Sequence, residues 1–173
     1  MSILPILIHP DPRLKKVCAP VDAFDDALRG FIDDMLETMY DAPGIGLAAP
    51  QVGVMKRVLV MDCAEREGEA PAPIALINPE ITAASEEMNE HEEGCLSIPD
   101  QYGMVKRPAI VTVSYLDPTG AAHEREFDGL WATCVQHEID HLNGKLFIDF
   151  LGSVRRQMIT QKMKKLKRER ARG

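Results

Sequence analysis

The segment His137-Glu138-Ile139-Asp140-His141 constrains this chain more than any other. On an α-helix, residues four apart lie one above the other, so both imidazoles point to one side and can reach a single metal ion. Glu138 then stands beside the first histidine, close enough to address a metal-bound water without ligating the metal. Two fixed ligands and a proton-shuttling carboxylate are what metal-assisted hydrolysis requires. The helix is predicted over 130–143, closed by Gly144 at the C′ position. The same pattern also arises by chance on amphipathic helices, so a third ligand has to be found.

Downstream candidates fail. A metzincin-type continuation would place a histidine where this chain has Phe147. Asp149 is too close for the spacing of other zincins, and Glu169 lies within a basic tail. Upstream, Cys95 is the strongest candidate. It stands in Glu93-Gly94-Cys95-Leu96-Ser97, where Gly94 frees the backbone, and a thiolate is a strong ligand for a divalent transition metal. One thiolate and two imidazoles leave a fourth position for water, the open geometry of a catalytic centre.

The remaining elements predict an α+β domain. Apolar residues recur at Phe24, Leu28, Phe31, Ile32, Met35, Leu36 and Met39, the spacing of one buried helical face, with Asp22 as the expected cap. Strands are expected at 57–62 and 74–78, separated by a surface loop, and as a hairpin at 110–115 and 123–127 across Asp117-Pro118-Thr119-Gly120. A last helix is expected from 153, with Leu151, Val154, Met158 and Leu166 at helical spacing. The overall expectation is mixed or antiparallel strands around a central metal-binding helix, flanked by an N-terminal and a C-terminal helix. With 173 residues, one catalytic domain over 1–173 is expected, with 153–173 its basic C-terminal helix.

No apolar run is long enough to span a bilayer, and the N-terminus reads as neither a secretory nor an organellar leader. A cytoplasmic location is expected. Cys18 and Cys63 are read as core residues in a reducing compartment. The net charge of −7 hides an asymmetry: nine of the 20 basic residues lie between Arg155 and Arg172 against one acid, leaving 11 basic and 26 acidic side chains on residues 1–154. An acidic body with a basic tail suggests two surfaces with different partners.

Three segments together resemble the peptide deformylases: Gly44-Ile45-Gly46-Leu47-Ala48-Ala49-Pro50-Gln51, Glu93-Gly94-Cys95-Leu96-Ser97 and His137-Glu138-Ile139-Asp140-His141. Pro10-Asp11-Pro12-Arg13-Leu14 and the basic terminal helix extend the likeness over essentially the whole chain, and the helical tail resembles the type 1 bacterial form. The resemblance implies hydrolysis of the formyl group from the N-terminal formylmethionine of nascent polypeptides, with release of formate. It implies Cys95, His137 and His141 as ligands of one divalent ion, Fe2+ in the cell, with Zn2+, Ni2+ or Co2+ able to take its place. A metal-bound water would attack, with Glu138 as general base and then general acid. The Gln51 amide and the Leu96 backbone N–H would hold the oxyanion. Ile45, Leu130 and Cys134 are expected walls of a methionine pocket, a plain core role being the alternative, and backbone around Ile45 and Gly46 is expected to pair with the peptide.

Several family members carry an arginine where this chain has Tyr102, so that contact is not carried over. Asp140 is read as structural, with Arg107 as its partner; His9, His91 and His123 are read as surface or structural residues. The tail suggests docking on the ribosome, where the substrate emerges. No membrane and no DNA partner is expected, and a monomer is. Two rivals are weighed. A small metallopeptidase is disfavoured by cysteine ligation, and a nucleic-acid-binding module with a structural metal by the open fourth position, Glu138 and Gln51.

Overall fold

The structure is a computed structural model that describes residues 2–173. Helix α1 (Asp26–Asp41) is capped by Asp25, whose side chain accepts the Leu28 N–H, rather than by Asp22. The reason is reach: an N-cap oxygen must meet the second or third helical N–H, and Asp22 is three residues too early. Leu28, Ile32, Met35 and Met39 form its buried face, as their spacing predicts, with Phe24, Phe31 and Leu36 packed at its margins.

Five strands form one sheet in the order β1 (Gly46–Ala48), β2 (Val58–Met61), β3 (Ile74–Ala84), β6 (Val111–Leu116), β7 (Ala122–Phe127), each pair antiparallel. Strand β2 is buried along its whole length, which is why it reads as an unbroken apolar run. Strand β3 continues well past the 74–78 expected for it. Its second half, Glu80 to Ala84, is exposed and pairs with β6 through register shifts, so no alternation marks it in the sequence.

Strands β4 (Met88–Cys95) and β5 (Ile98–Pro108) make a separate two-stranded hairpin that the sequence reading did not anticipate. In β4 only Glu93 is fully buried, so the strand carries no apolar signature. Helix α2 (Gly129–Leu142) lies in the middle of the molecule and packs on β1, β2, β5 and β7. Gly144 closes it with φ 74°, and a side chain there would run into the Lys15 carbonyl.

Helix α3 (Ser153–Arg172) differs from expectation in its phase. Ile159 and Met163 are its buried residues, with Leu166 beside them. Val154 and Met158 are 70% and 55% exposed. Leu151, just before the helix, does pack inward, against Gly103 of β5. No helix among the described residues is long and apolar enough to cross a membrane.

Candidate functional site

A cleft of about 940 Å³ opens between β1, the β4–β5 turn and α2. Helix α2 presents His137, Glu138 and His141, all buried, on its inner side. The hairpin brings Cys95 to the same point: the sulfur lies 3.4 Å from Nε2 of His141. One donor atom from each of Cys95, His137 and His141 lies within 4.8 Å of the other two, close enough for one ion to touch all three.

The surroundings fit a metal. Glu93 takes the Nδ1 of His137 at 2.9 Å, which leaves Nε2 as the ring nitrogen free to ligate. Glu93 is itself gripped twice by Arg107, at 2.7 and 3.0 Å, and Arg107 reaches on to Asp140 at 2.8 Å. The expected Asp140–Arg107 pair is therefore present. The carboxylate it shares that arginine with had no assigned role in the sequence, although Glu93 sits two positions from Cys95 on one strand face.

Electrostatics follow from burial and these contacts. Burial opposes ionisation of Glu93, but hydrogen bonds from His137 and Arg107 outweigh it and hold the carboxyl down at about 2. Burial pulls His137 down, yet Glu138, Cys95 and Glu93 together hold its imidazolium well above the usual range. Burial, helped by the charges of His137 and Arg107, keeps His141 well below it. A divalent ion at the three donors would reverse the preference of His137, because a ligating imidazole is neutral. Burial pushes Glu138 up to about 7, against the pull of His137. One Glu138 oxygen is buried with no hydrogen-bond partner among the described residues. A carboxyl poised near neutrality and aimed into a cleft is suited to move a proton.

The first glycine-rich segment supplies the opposite wall. Gln51 is 1% exposed, and its Oε1 accepts the Ala48 N–H at 2.9 Å. That turns Nε2 toward Ser97 Oγ at 3.1 Å and Cys95 Sγ at 3.5 Å, so the amide donor faces the cleft beside the cysteine. Leu96 follows Cys95 in the turn of the hairpin and also lines the cleft. Gly46 is required by close approach: a Cβ there would stand 2.7 Å from Oε2 of Glu138 and 2.8 Å from Sγ of Cys134.

Ile45, Gly46, Leu130 and Cys134 all line the cleft. The Cys134 thiol points to the Ile45 carbonyl at 3.6 Å, and its hydrogen bond with Cys63 and its burial raise its pKa. Among the described residues strand β1 pairs with β2 alone, and Gly46 at its start lines the cleft. Tyr102, opposite Gly94 in the hairpin, also lines it. Cys18 and Cys63 are buried core residues. His123 is exposed and pairs with Asp117, and His9 is buried against Thr160, 2.9 Å away. His91 is exposed but lines the cleft.

Comparison with known proteins points one way. The family described as polypeptide deformylase matches residues 3–157. A peptide deformylase of Brucella suis is 56% identical over 99% of this chain and 97% of its own length. Another, from Mesorhizobium japonicum, is 56% identical over 100% and 98%. Among solved structures, a peptide deformylase from Legionella pneumophila superposes with a TM-score of 0.90 at 48% identity, covering 99% of both chains. A peptide deformylase from Ehrlichia chaffeensis in complex with actinonin gives a TM-score of 0.92 at 43% identity, covering 97% of this chain and 99% of its own.

Proposed function

This chain belongs to the peptide deformylase family, and we propose that Cys95, His137 and His141 hold its divalent metal while Glu138 moves the proton. The enzyme hydrolyses the N-formyl group from the N-terminal formylmethionine of nascent polypeptides and releases formate. The juxtaposition of the three donor atoms, within 4.8 Å, with the buried carboxylate of Glu138 carries this division of roles.

The ion, when bound, supplies Lewis-acid polarisation and lowers the pKa of a water. Glu138 takes a proton from the attacking water and returns it to the leaving amine, a task its buried position beside the donor atoms suits. The Gln51 Nε2 and the Leu96 N–H stabilise the oxyanion that forms as water adds to the formyl carbon. The Gln51 amide is held ready by Ala48 and Ser97, so little reorganisation is needed. Ile45, Leu130 and Cys134 enclose the methionine side chain, and the free edge of β1 at Gly46 receives the peptide backbone as an added strand. Fe2+ is the ion in the cell, and Zn2+, Ni2+ or Co2+ can replace it; a thiolate with two imidazoles suits all four.

The whole chain works as one catalytic domain, a monomer in the cytoplasm. The nine basic residues of 155–172 dock it on ribosomal RNA near the emerging substrate. Formate release from formyl-Met-Ala-Ser by anaerobically purified protein, beside Glu138→Ala with metal content measured on both, tests the reading. We expect turnover by the wild type and a loss of about 100-fold or more in a variant that still holds metal. A fully metallated, folded wild type that releases no formate with iron or nickel would sink it.

A further inference from the structure

We infer that Arg66 is a specificity-determining residue that reads the third residue of the substrate, favouring an acidic side chain there. This rests on the deformylase reading and extends it past the methionine pocket. Arg66 lines the same cleft as Glu138 and Leu130. It is carried by the short 3-10 turn Glu65–Glu67 in the segment between β2 and β3.

That segment is exposed, but its base is pinned. Asp62 is buried and accepts hydrogen bonds from Ala64 N–H at 3.0 Å, Ala72 N–H at 3.0 Å and the Tyr40 hydroxyl at 2.5 Å. One carboxylate thus clasps both ends of the loop to helix α1. The turn also lies against the start of α2: a Cβ on Gly129 would be 3.8 Å from the Glu67 carboxylate. Leu130, a wall of the proposed methionine pocket, is the next residue. Arg66 therefore stands on the side of the cleft that the methionine side chain takes.

An extended peptide sends alternate side chains to opposite sides, so the third residue returns to the side of the first. Among the described residues no ion pair engages Arg66. Arg170, in the last turn of α3, also lines the cleft, but Arg66 is the cation carried beside Leu130; Arg107 is occupied by Glu93 and Asp140. The remaining charged lining is acidic, including Asp41, Glu92 and Asp100. Arg66 makes the position on the methionine side the one where an acidic side chain meets a cation next to the Leu130 wall.

The test is kcat/KM for formyl-Met-Ala-Asp-amide and formyl-Met-Ala-Lys-amide, with formyl-Met-Ala-amide as reference, on metallated wild type and Arg66→Glu. An exposed pair of this kind changes the ratio by about two- to fivefold. We expect the wild type to prefer Asp over Lys through KM and Arg66→Glu to reverse the order, each rate taken relative to the same protein's rate on the reference. Raised salt should shrink the preference. An Asp/Lys ratio identical in wild type and Arg66→Glu overturns the role of Arg66 while leaving the deformylase reading intact. Failure of the wild type to deformylate the reference peptide overturns both.

Discussion

Glu93 and His137 are joined by a 2.9 Å hydrogen bond from the ring Nδ1, and the same carboxylate accepts from Nε and Nη2 of Arg107. The pair fixes which imidazole nitrogen turns toward Cys95 and His141. Glu93→Gln keeps the shape and removes the charge. Metal affinity should fall about 10- to 100-fold, as is usual for partners that orient a ligand. Competition with a chromogenic chelator measures it, and unchanged affinity would show that packing alone orients the ring.

Gln51→Ala should lower kcat by about 100- to 1,000-fold with metal content unchanged, the loss expected for one oxyanion donor. Ser97→Ala removes only a hydrogen bond that orients the amide and should cost far less. Equal losses for the two would assign Gln51 a structural role. Steady-state kinetics with metal analysis distinguishes these outcomes.

Gly46→Ala places a methyl where Oε2 of Glu138 and Sγ of Cys134 already stand. Either the strand or the carboxylate has to move, so formate release should drop steeply. The variant's unfolding midpoint in urea should fall by far less than its activity does. Full activity would mean that β1 can retreat without consequence.

Burial keeps the His9 imidazole neutral, lowering its pKa to about 4; Lys15, Lys164 and Lys167 face it and add to the effect, and Asp149 opposes them. Above the unfolded value near 6.5 both states are neutral and stability is unaffected. As pH falls from 6.5 to 4, the unfolded chain takes up a proton that the native state refuses, so stability declines. The loss is complete below 4, at no more than about 3 kcal/mol. Urea unfolding of wild type and His9→Gln across that window should show a shallower pH slope in the variant. Parallel slopes would remove His9 from the account.

Truncations on α3 separate its two possible phases. Met163→Ala should cost about 2–4 kcal/mol in stability, and Met158→Ala less than about 0.5. The reverse order would contradict the burial of Met163 against the N-terminal segment and β5.

The parts legible in the sequence were those where burial is one-sided and regular. The α1 stripe, the β6–β7 hairpin with its Asp-Pro-Thr-Gly turn, and α2 with its glycine stop all follow local rules. The β4–β5 hairpin does not, because Met88-Asn89-Glu90-His91-Glu92 of β4 is exposed and the one buried side chain of that strand is a charged one, Glu93. Helix α3 was misphased for a different reason. Leu151, Val154 and Met158 share helical spacing as well as Ile159, Met163 and Leu166 do, and only the docked partner decides between them. At the site, the three motifs mark Cys95, Gln51 and the two histidines. Glu93 and Arg66 become visible only when distant strands and loops are brought to one cleft.

The β4–β5 hairpin shares no strand pairing with the five-stranded sheet, yet it contributes Cys95 to a donor set whose other two members ride on α2. An ion bound there is a staple between two separately paired pieces of backbone. Its removal would leave the sheet's own ladder untouched and free the hairpin to breathe against the helix. Loss of metal would then register first as faster amide exchange near Cys95, well before any loss of protection in β2 and β3. The catalytic ion would be, at the same time, a local rivet.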